Sequence, residues 1–515
     1  MAEFTPLNGA TESTLTATVK SASVSTGAAS HIRFRTYGGE RVWIKFTDFS
    51  EHLAIPVESI PLNLSGETII PVSDGFSYFA YATEGGAARV DYTLGTAKGD
   101  CFSYPVTPIK SNRVVALGSS ITFQNSSKVD STTESKTLAR GWLTWAQVLA
   151  DPNTIRFDFI NSGVGGNTVK MMMNRFEADV VAYRPAVIIL ESGTNDIASY
   201  DEGAIKDDLF KLYQMAERVG VPVVVCSIPK RASTAWTADQ KEKVDQINAW
   251  IRRKVPEFKN FRFFDWNAAW VDVDATTGDP ISGCVRSDNT HLTPKGAFLI
   301  GKNLGPNYLK DLFPAASPIV RSPLVTDGTD YVMGNLFPNP LFQGTGGTVS
   351  SPCTGTVPTS TRILRSSGSG GCAASINSST LPDNYNEVQL DFTPAGSAGN
   401  SVFNFQHSAT NLTTVQDGLY EALIWLDVSA WAGWRIVSLD VYDTEGATGH
   451  NYGLWNDLTS ESVYMPPYAW QGWVRAQPRR MLGTTARVRL YVDIDDNVAG
   501  TGTIKVRDLI LRRVG

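Results

Sequence analysis

Hydrophobic and polar positions change rhythm twice along this chain. Up to about residue 108, apolar and polar residues alternate at period two, as in His31-Ile32-Arg33-Phe34-Arg35 and Arg41-Val42-Trp43-Ile44-Lys45-Phe46. Further strands are expected at 67–72, 76–82 and 88–94, separated by Gly, Ser and Asp turns. This rhythm predicts half-buried strands in a small sandwich or barrel. Between 109 and about 316, short apolar runs alternate with amphipathic stretches. Strands are expected at 113–117, 157–161, 186–191, 222–228 and 261–265, and helices at 141–150, 168–183, 202–219, 237–255 and 294–312. Five strand–helix repeats predict a parallel sheet covered by helices on both faces, with ligands at the carboxyl ends of its strands. From 317 to 515 a Pro/Ser/Gly-rich linker leads back to period two, with strands at 387–392, 419–427, 436–442, 486–492 and 503–511. A jelly-roll-like β-sandwich is expected there. The chain is thus read as three domains, 1–108, 109–316 and 317–515, and its 515 residues suit about three.

Composition narrows the function classes. At 42% hydrophobic and 19% charged the chain has ordinary globular material for real cores. The net charge of -6 argues against a nucleic-acid partner, which calls for a basic stripe. The opening Met1-Ala2-Glu3-Phe4 is followed by no basic and then apolar segment, so no signal peptide is visible. No run approaches the ~20 apolar residues of a membrane span, and membrane insertion is not expected. Cys226 closes the apolar run Val221-Pro222-Val223-Val224-Val225 and reads as a buried thiol. Cys353 and Cys372 flank a Ser/Thr/Gly-rich stretch and are one candidate disulfide, which spacing alone does not establish. Cys101 and Cys284 have no evident partner.

Four short segments in the α/β region carry chemistry. Gly118-Ser119-Ser120-Ile121-Thr122 follows the first strand, and a serine on such a turn exposes its hydroxyl to a base. Asp288-Asn289-Thr290-His291 precedes Thr293-Pro294, an N-cap and a first-turn proline that mark a helix start. A carboxylate three residues before a histidine can hold the imidazole in one tautomer. The other histidines, His31, His52, His407 and His450, lie in the β regions, so a histidine base in the α/β region must be His291. Gly193-Thr194-Asn195-Asp196 offers a side-chain amide to an oxyanion, worth about 3 kcal/mol in a transition state. Asn161-Ser162-Gly163-Val164-Gly165-Gly166-Asn167-Thr168 allows close backbone approach before a helix start. Each segment alone is common turn chemistry. No His/Asp cluster suggests a metal, and no cofactor is expected.

Together and in this order, the segments resemble the four blocks of the SGNH (GDSL-type) hydrolase family, over about residues 109–316. The resemblance implies a flavodoxin-like α/β/α fold with Ser120 as nucleophile, His291 as base and Asp288 orienting it. It implies an oxyanion hole made of the Ser120 N–H, the Gly166 N–H and the Asn195 side chain, with Gly165 the alternative to Gly166. The family's usual aspartate before the nucleophile is Ser119 here. The implied activity is removal of acyl groups from lipids, thioesters or sugars.

The polar, hydroxyl-rich stretch 123–140 suits a sugar better than an acyl chain. Six tryptophans in the C-terminal region either stack on sugar rings or fill a core. The segments GGERVWIKF and GETIIPVSDGFSYFAYATEGG resemble small β domains of bacteriophage virion proteins, and Gly334-Asn335-Leu336-Phe337-Pro338-Asn339-Pro340 resembles the start of sandwich domains in phage tail proteins. These resemblances imply a metal-independent carbohydrate O-deacetylase located on a phage tail or other virion structure and acting on acetylated bacterial surface glycan. Other virion proteins would be its partners and a homotrimer its assembly, although no coiled-coil heptads accompany it. Two alternatives stand beside it: a secreted, extracellular bacterial esterase with a sugar-binding module, and an inert receptor-binding virion protein.

Overall fold

The structure, a computed structural model, describes residues 112–513 except 129–134, 153–154, 233–234, 273–277, 314–334, 379–385, 409–411, 415–417, 444–449 and 459–463. Before residue 112 it describes only the backbone of strands. The chain divides into two compact units. One comprises Met1–Ser119, Gly166–Val225 and Ala249–Phe263, the other Ser120–Gly165, Cys226–Asn248 and Phe264–Gly515.

In the first unit, the strands expected near 31, 41, 67, 76 and 88 appear as His31–Tyr37, Val42–Thr47, Gly66–Pro71, Tyr78–Thr83 and Ala87–Lys98. They are shared between a five-stranded and a four-stranded sheet. The α/β region contains β1 (Arg113–Gly118), β2 (Asp158–Gly163), β3 (Val187–Leu190), β4 (Val223–Cys226) and β5 (Phe261–Phe264). Their order is β2-β1-β3-β4-β5, with β1 parallel to β3 and β3 parallel to β4. This is the flavodoxin-like order, and its reversal of direction beside β1 is where such sheets bind ligands. Val114–Leu117 and Val187–Leu190 are wholly buried, which is why these strands read as continuous apolar runs without alternation.

The single helix expected at 168–183 is instead Val169–Asn174, Phe176–Asp179 and a turn of 3-10 helix at Val181–Tyr183. Arg175 interrupts it with φ -110° and ψ 6°. Its guanidinium bonds the Asn167 side chain, the Gly118 carbonyl and Asp179, and those tertiary bonds override helical propensity.

In the second unit, helices Trp142–Ala150 and Pro294–Leu304 pack backbone to backbone. A Cβ on Gly301 would lie 2.4 Å from the Trp145 Cβ, and one on Gly305 would lie 2.3 Å from the Ala146 carbonyl oxygen. The helix expected to run to 312 is α-helical as far as Leu304 and continues as a π-helical turn over Gly305–Leu309 and a 3-10 turn over Lys310–Leu312, since Pro306 lacks the N–H that would carry the α-helical ladder on.

The C-terminal strands form a nine-stranded and a six-stranded sheet. The nine-stranded sheet includes Ser126–Lys128 and Ser135–Leu138, from the polar, hydroxyl-rich stretch 123–140, and the latter runs parallel to His450–Trp455. The boundary at 316/317 therefore marks a change of sequence pattern, not a separation of sheets. The Leu454 N–H donates to Thr137 Oγ1 at 2.9 Å, and the Trp425 indole donates to the Pro152 carbonyl at 2.6 Å. Trp145 meets Trp470 edge-on at 5.3 Å. Trp425, Trp431, Trp434, Trp470 and Trp473 are buried and serve as core; Trp455 is partly exposed. Cys226 is buried as expected. Cys353 and Cys372 are free, buried thiols hydrogen-bonded to each other, and the candidate disulfide is not formed.

Candidate active site

Three of the singled-out residues meet in the second unit. Ser120 opens a short helix, Ser120–Phe123, directly after β1. His291 Nε2 lies 2.8 Å from Ser120 Oγ, and His291 Nδ1 lies 2.8 Å from Asp288 Oδ2. The second Asp288 oxygen accepts the Thr290 and His291 N–H groups, each at 2.9 Å. Partial burial pushes the Asp288 carboxyl up, but these three hydrogen bonds outweigh it and hold the group below the usual carboxylate range. An ionised Asp288 keeps the proton on Nδ1, which leaves Nε2 as acceptor for the serine proton.

Local chemistry fixes this loop. Asn289 adopts φ 58°, a left-handed turn that asparagine tolerates. The Arg286 N–H donates to the His291 carbonyl at 2.8 Å, closing the turn around the pair. Thr293 caps helix Pro294–Leu304 by accepting the Gly296 N–H, and its hydroxyl donates to the Gly283 carbonyl at 2.6 Å. The cap read from Thr293-Pro294 is present. On the serine side, a Cβ on Gly163 would sit 2.1 Å from the Phe123 nitrogen, so only glycine lets the end of β2 meet the nucleophile helix. Asn161 Nδ2 donates to the Phe123 carbonyl and to Ser126 Oγ, each at 3.0 Å.

The remaining candidates belong to the first unit. Asn195 lies after β3 and donates from Nδ2 to the Asn167 carbonyl at 3.0 Å. Asp196 accepts the Val169 N–H on both oxygens at 3.2 Å. Burial pushes the Asp196 carboxyl up to about 6, against the lowering effect of that hydrogen bond. Gly166 is exposed and has φ 77°, which favours glycine. Neither Gly165 nor Gly166 has a heavy atom within 4 Å of a built Cβ. The asparagine segment thus laces down the segment that carries Gly166.

Sequence reasoning missed Glu191 and Asp196. The sequence marks Glu191 only as the end of the strand expected at 186–191. It is wholly buried and accepts the Ser119 N–H at 2.9 Å and the Ser119 hydroxyl at 2.9 and 3.2 Å. The available signal was a carboxylate closing an otherwise apolar strand. Among the described residues, no group of three or more His, Cys, Asp or Glu side chains could hold a metal ion.

Residues 116–297 match the GDSL-like Lipase/Acylhydrolase family. This segment is a GDSL-like acylhydrolase domain. The GDSL domain contains all three members of the serine–histidine–aspartate row, and its family points to ester hydrolysis. The chain is also similar to an uncharacterized lipoprotein, YqeF, of Bacillus subtilis (strain 168), at 22% identity over 189 residues, covering 30% of this chain and 75% of the relative. Among solved structures it is similar to a GDSL-like lipase from Bacteroides thetaiotaomicron VPI-5482, at 20% identity with a TM-score of 0.28, covering 37% of this chain and 84% of that one. An acetyl xylan esterase gives 20% identity and a TM-score of 0.30, covering 37% of this chain and 97% of that one. The family match, not these low-scoring likenesses, places the GDSL domain.

Proposed function

We propose that this protein is a serine esterase that removes O-acetyl groups from a carbohydrate. The observation that carries the esterase chemistry is the continuous row Ser120 Oγ, His291 and Asp288, with both links at 2.8 Å. Ser120 Oγ attacks the ester carbonyl carbon while its proton passes to His291 Nε2. The tetrahedral intermediate collapses, the C–O bond to the sugar breaks, and the sugar oxygen takes the proton from His291. Water then attacks the acetyl-serine ester, giving its proton to His291, and acetate leaves as Ser120 Oγ recovers that proton. Asn195 and Gly166 are assigned to oxyanion stabilisation by their sequence segments.

Support for a sugar comes from the sheet that includes Ser135–Leu138. Its partly exposed rings Tyr442, His450, Tyr452, Trp455 and Tyr491 form a chain of contacts at 4.3–5.6 Å. Lys136 lies 5.3 Å from the Tyr452 ring. Rings with polar neighbours suit pyranose surfaces. We place the protein on a phage virion as part of the same proposal, with acetylated bacterial surface glycan as the substrate and neighbouring virion proteins as partners; immunodetection on purified virions tests that location. A second reading, a small apolar ester, is favoured by Phe123 and Val164, which are 54% and 41% exposed near the nucleophile segment.

The deciding experiment measures acetate release from a panel of O-acetylated bacterial polysaccharides, beside hydrolysis of an aryl acetate. Acetate release from one or more glycans that stops in Ser120→Ala supports the proposal. Aryl acetate cleavage with no acetate from any glycan favours the second reading, and no hydrolysis at all favours an inert virion protein.

A further inference from the structure

We infer that Glu191 is a positioning residue for the nucleophile, acting through Ser119. The inference rests on the esterase reading of Ser120. Residue 191 follows the last residue of β3, and the Glu191 N–H donates to the Leu117 carbonyl at 3.0 Å, continuing the β1–β3 register in which Leu117 opposes Leu190. That register places the residue directly beside the end of β1. From there the carboxylate reaches the next turn. Its Oε2 accepts both the N–H and the hydroxyl of Ser119 at 2.9 Å, and Oε1 shares the hydroxyl at 3.2 Å.

Both partners are wholly buried, so no water competes for these bonds. Hydrogen bonds to a carboxylate in such a place are short, strong and directional. They fix the Gly118–Ser119 peptide and the Ser119 side chain, and so the starting point of the next peptide, which carries the Ser120 N–H. That peptide must hold Oγ on His291 Nε2 and aim an N–H at the developing oxyanion. A misplacement of about 1 Å at such a centre costs as much as a hundredfold in rate. Glu191 cannot touch substrate, because it is enclosed and its oxygens face Ser119. It is therefore a positioning group and not an acid or base in the reaction. The anchor also accounts for Ser119: a short hydroxyl there donates to the buried carboxylate, in addition to the backbone N–H.

The test uses the full-length protein. For Glu191→Gln, Glu191→Asp, Ser119→Ala and the double variant Ser119→Ala/Glu191→Gln, kcat and KM are measured on an aryl acetate. The rate of covalent labelling by a fluorophosphonate is measured alongside, with thermal unfolding as the folding control. Glu191→Gln should lower kcat and the labelling rate together by about tenfold or more, with KM within about twofold. Glu191→Asp should recover part of the loss. The double variant should lose less than the product of the single losses, because both changes act on one set of bonds. Should Glu191 variants fail to fold, Ser119→Ala, which removes the hydroxyl alone, should still slow labelling severalfold. Unchanged kcat and labelling with only a lower melting temperature would overturn the inference, as would a change in KM alone or strictly multiplicative losses. Wild-type protein that fails to label at all would reject the esterase reading itself.

Discussion

Gly472→Ala probes how firmly the C-terminal sheets are built into the second unit. An added Cβ would lie 2.0 Å from the Val148 carbonyl oxygen and 3.1 Å from Val148 Cγ1. Ordinary contact begins near 3.4 Å, so strand Trp470–Arg480 or the end of helix Trp142–Ala150 must retreat by 3.4 − 2.0, about 1.4 Å. The opposing atom is backbone and cannot rotate away. A retreat of that size opens the Trp145–Trp470 edge contact and strains the ion pair that Arg475, on the same strand, makes with Asp158 of β2. Overpacking of this kind costs about 3 kcal/mol, which corresponds to a melting temperature lower by about 5–10 °C. Gly371→Ala is the control, since nothing lies within 4 Å of its added Cβ. Differential scanning calorimetry on both variants, with aryl acetate turnover on the same samples, checks the effect. A Gly472→Ala protein as stable as the Gly371→Ala control would refute the packing described here. The same contacts lead us to expect that residues 109–316, expressed without 317–515, do not fold as a soluble unit.

Asp288→Asn should lower kcat by about a thousandfold with little change in KM, since an amide no longer holds the imidazole in the productive tautomer; steady-state kinetics showing less than about a threefold loss would contradict the assignment. Asn195→Ala should lower kcat by about a hundredfold, and an effect on KM alone would make Asn195 a substrate-binding residue. Asp196 carries a folded-state carboxyl raised from 3.8 to about 6, so between those values the unfolded chain ionises while the folded chain keeps its proton. Stability should therefore fall as pH rises through that window, by about 3 kcal/mol in all, and then level off. Asp196→Asn should lose that slope in urea denaturation at pH 4 to 7 (about the window given by these values), and an identical slope in both proteins would reject the burial argument.

What the sequence made legible follows from where information is local. The Ser120, Asp288 and His291 positions were readable because each lies in a short segment beside a strand end or a Thr-Pro helix start, and Thr293 caps that helix as its residue type dictates. The central strands were readable because burial on both faces leaves unbroken apolar runs. The pairing of Ser135–Leu138 with His450–Trp455 was not readable, since a hydroxyl-rich segment has no alternation and its strand identity comes from a partner more than 300 residues away. The break at Arg175 was hidden for the same reason: it depends on the Gly118 carbonyl and Asn167, not on helix propensity. Five C-terminal tryptophans, read as either sugar platforms or core, proved to be core.

The measurement that tests the central claim most directly is the site of covalent capture. Wild-type protein is reacted with a fluorophosphonate, digested, and the modified peptide sequenced by mass spectrometry. We expect one label per chain, on Ser120, lost in Ser120→Ala and strongly slowed in Asp288→Asn. Labelling that persists in Ser120→Ala, or that falls on Ser119 in the wild type, would contradict the assignment of the nucleophile.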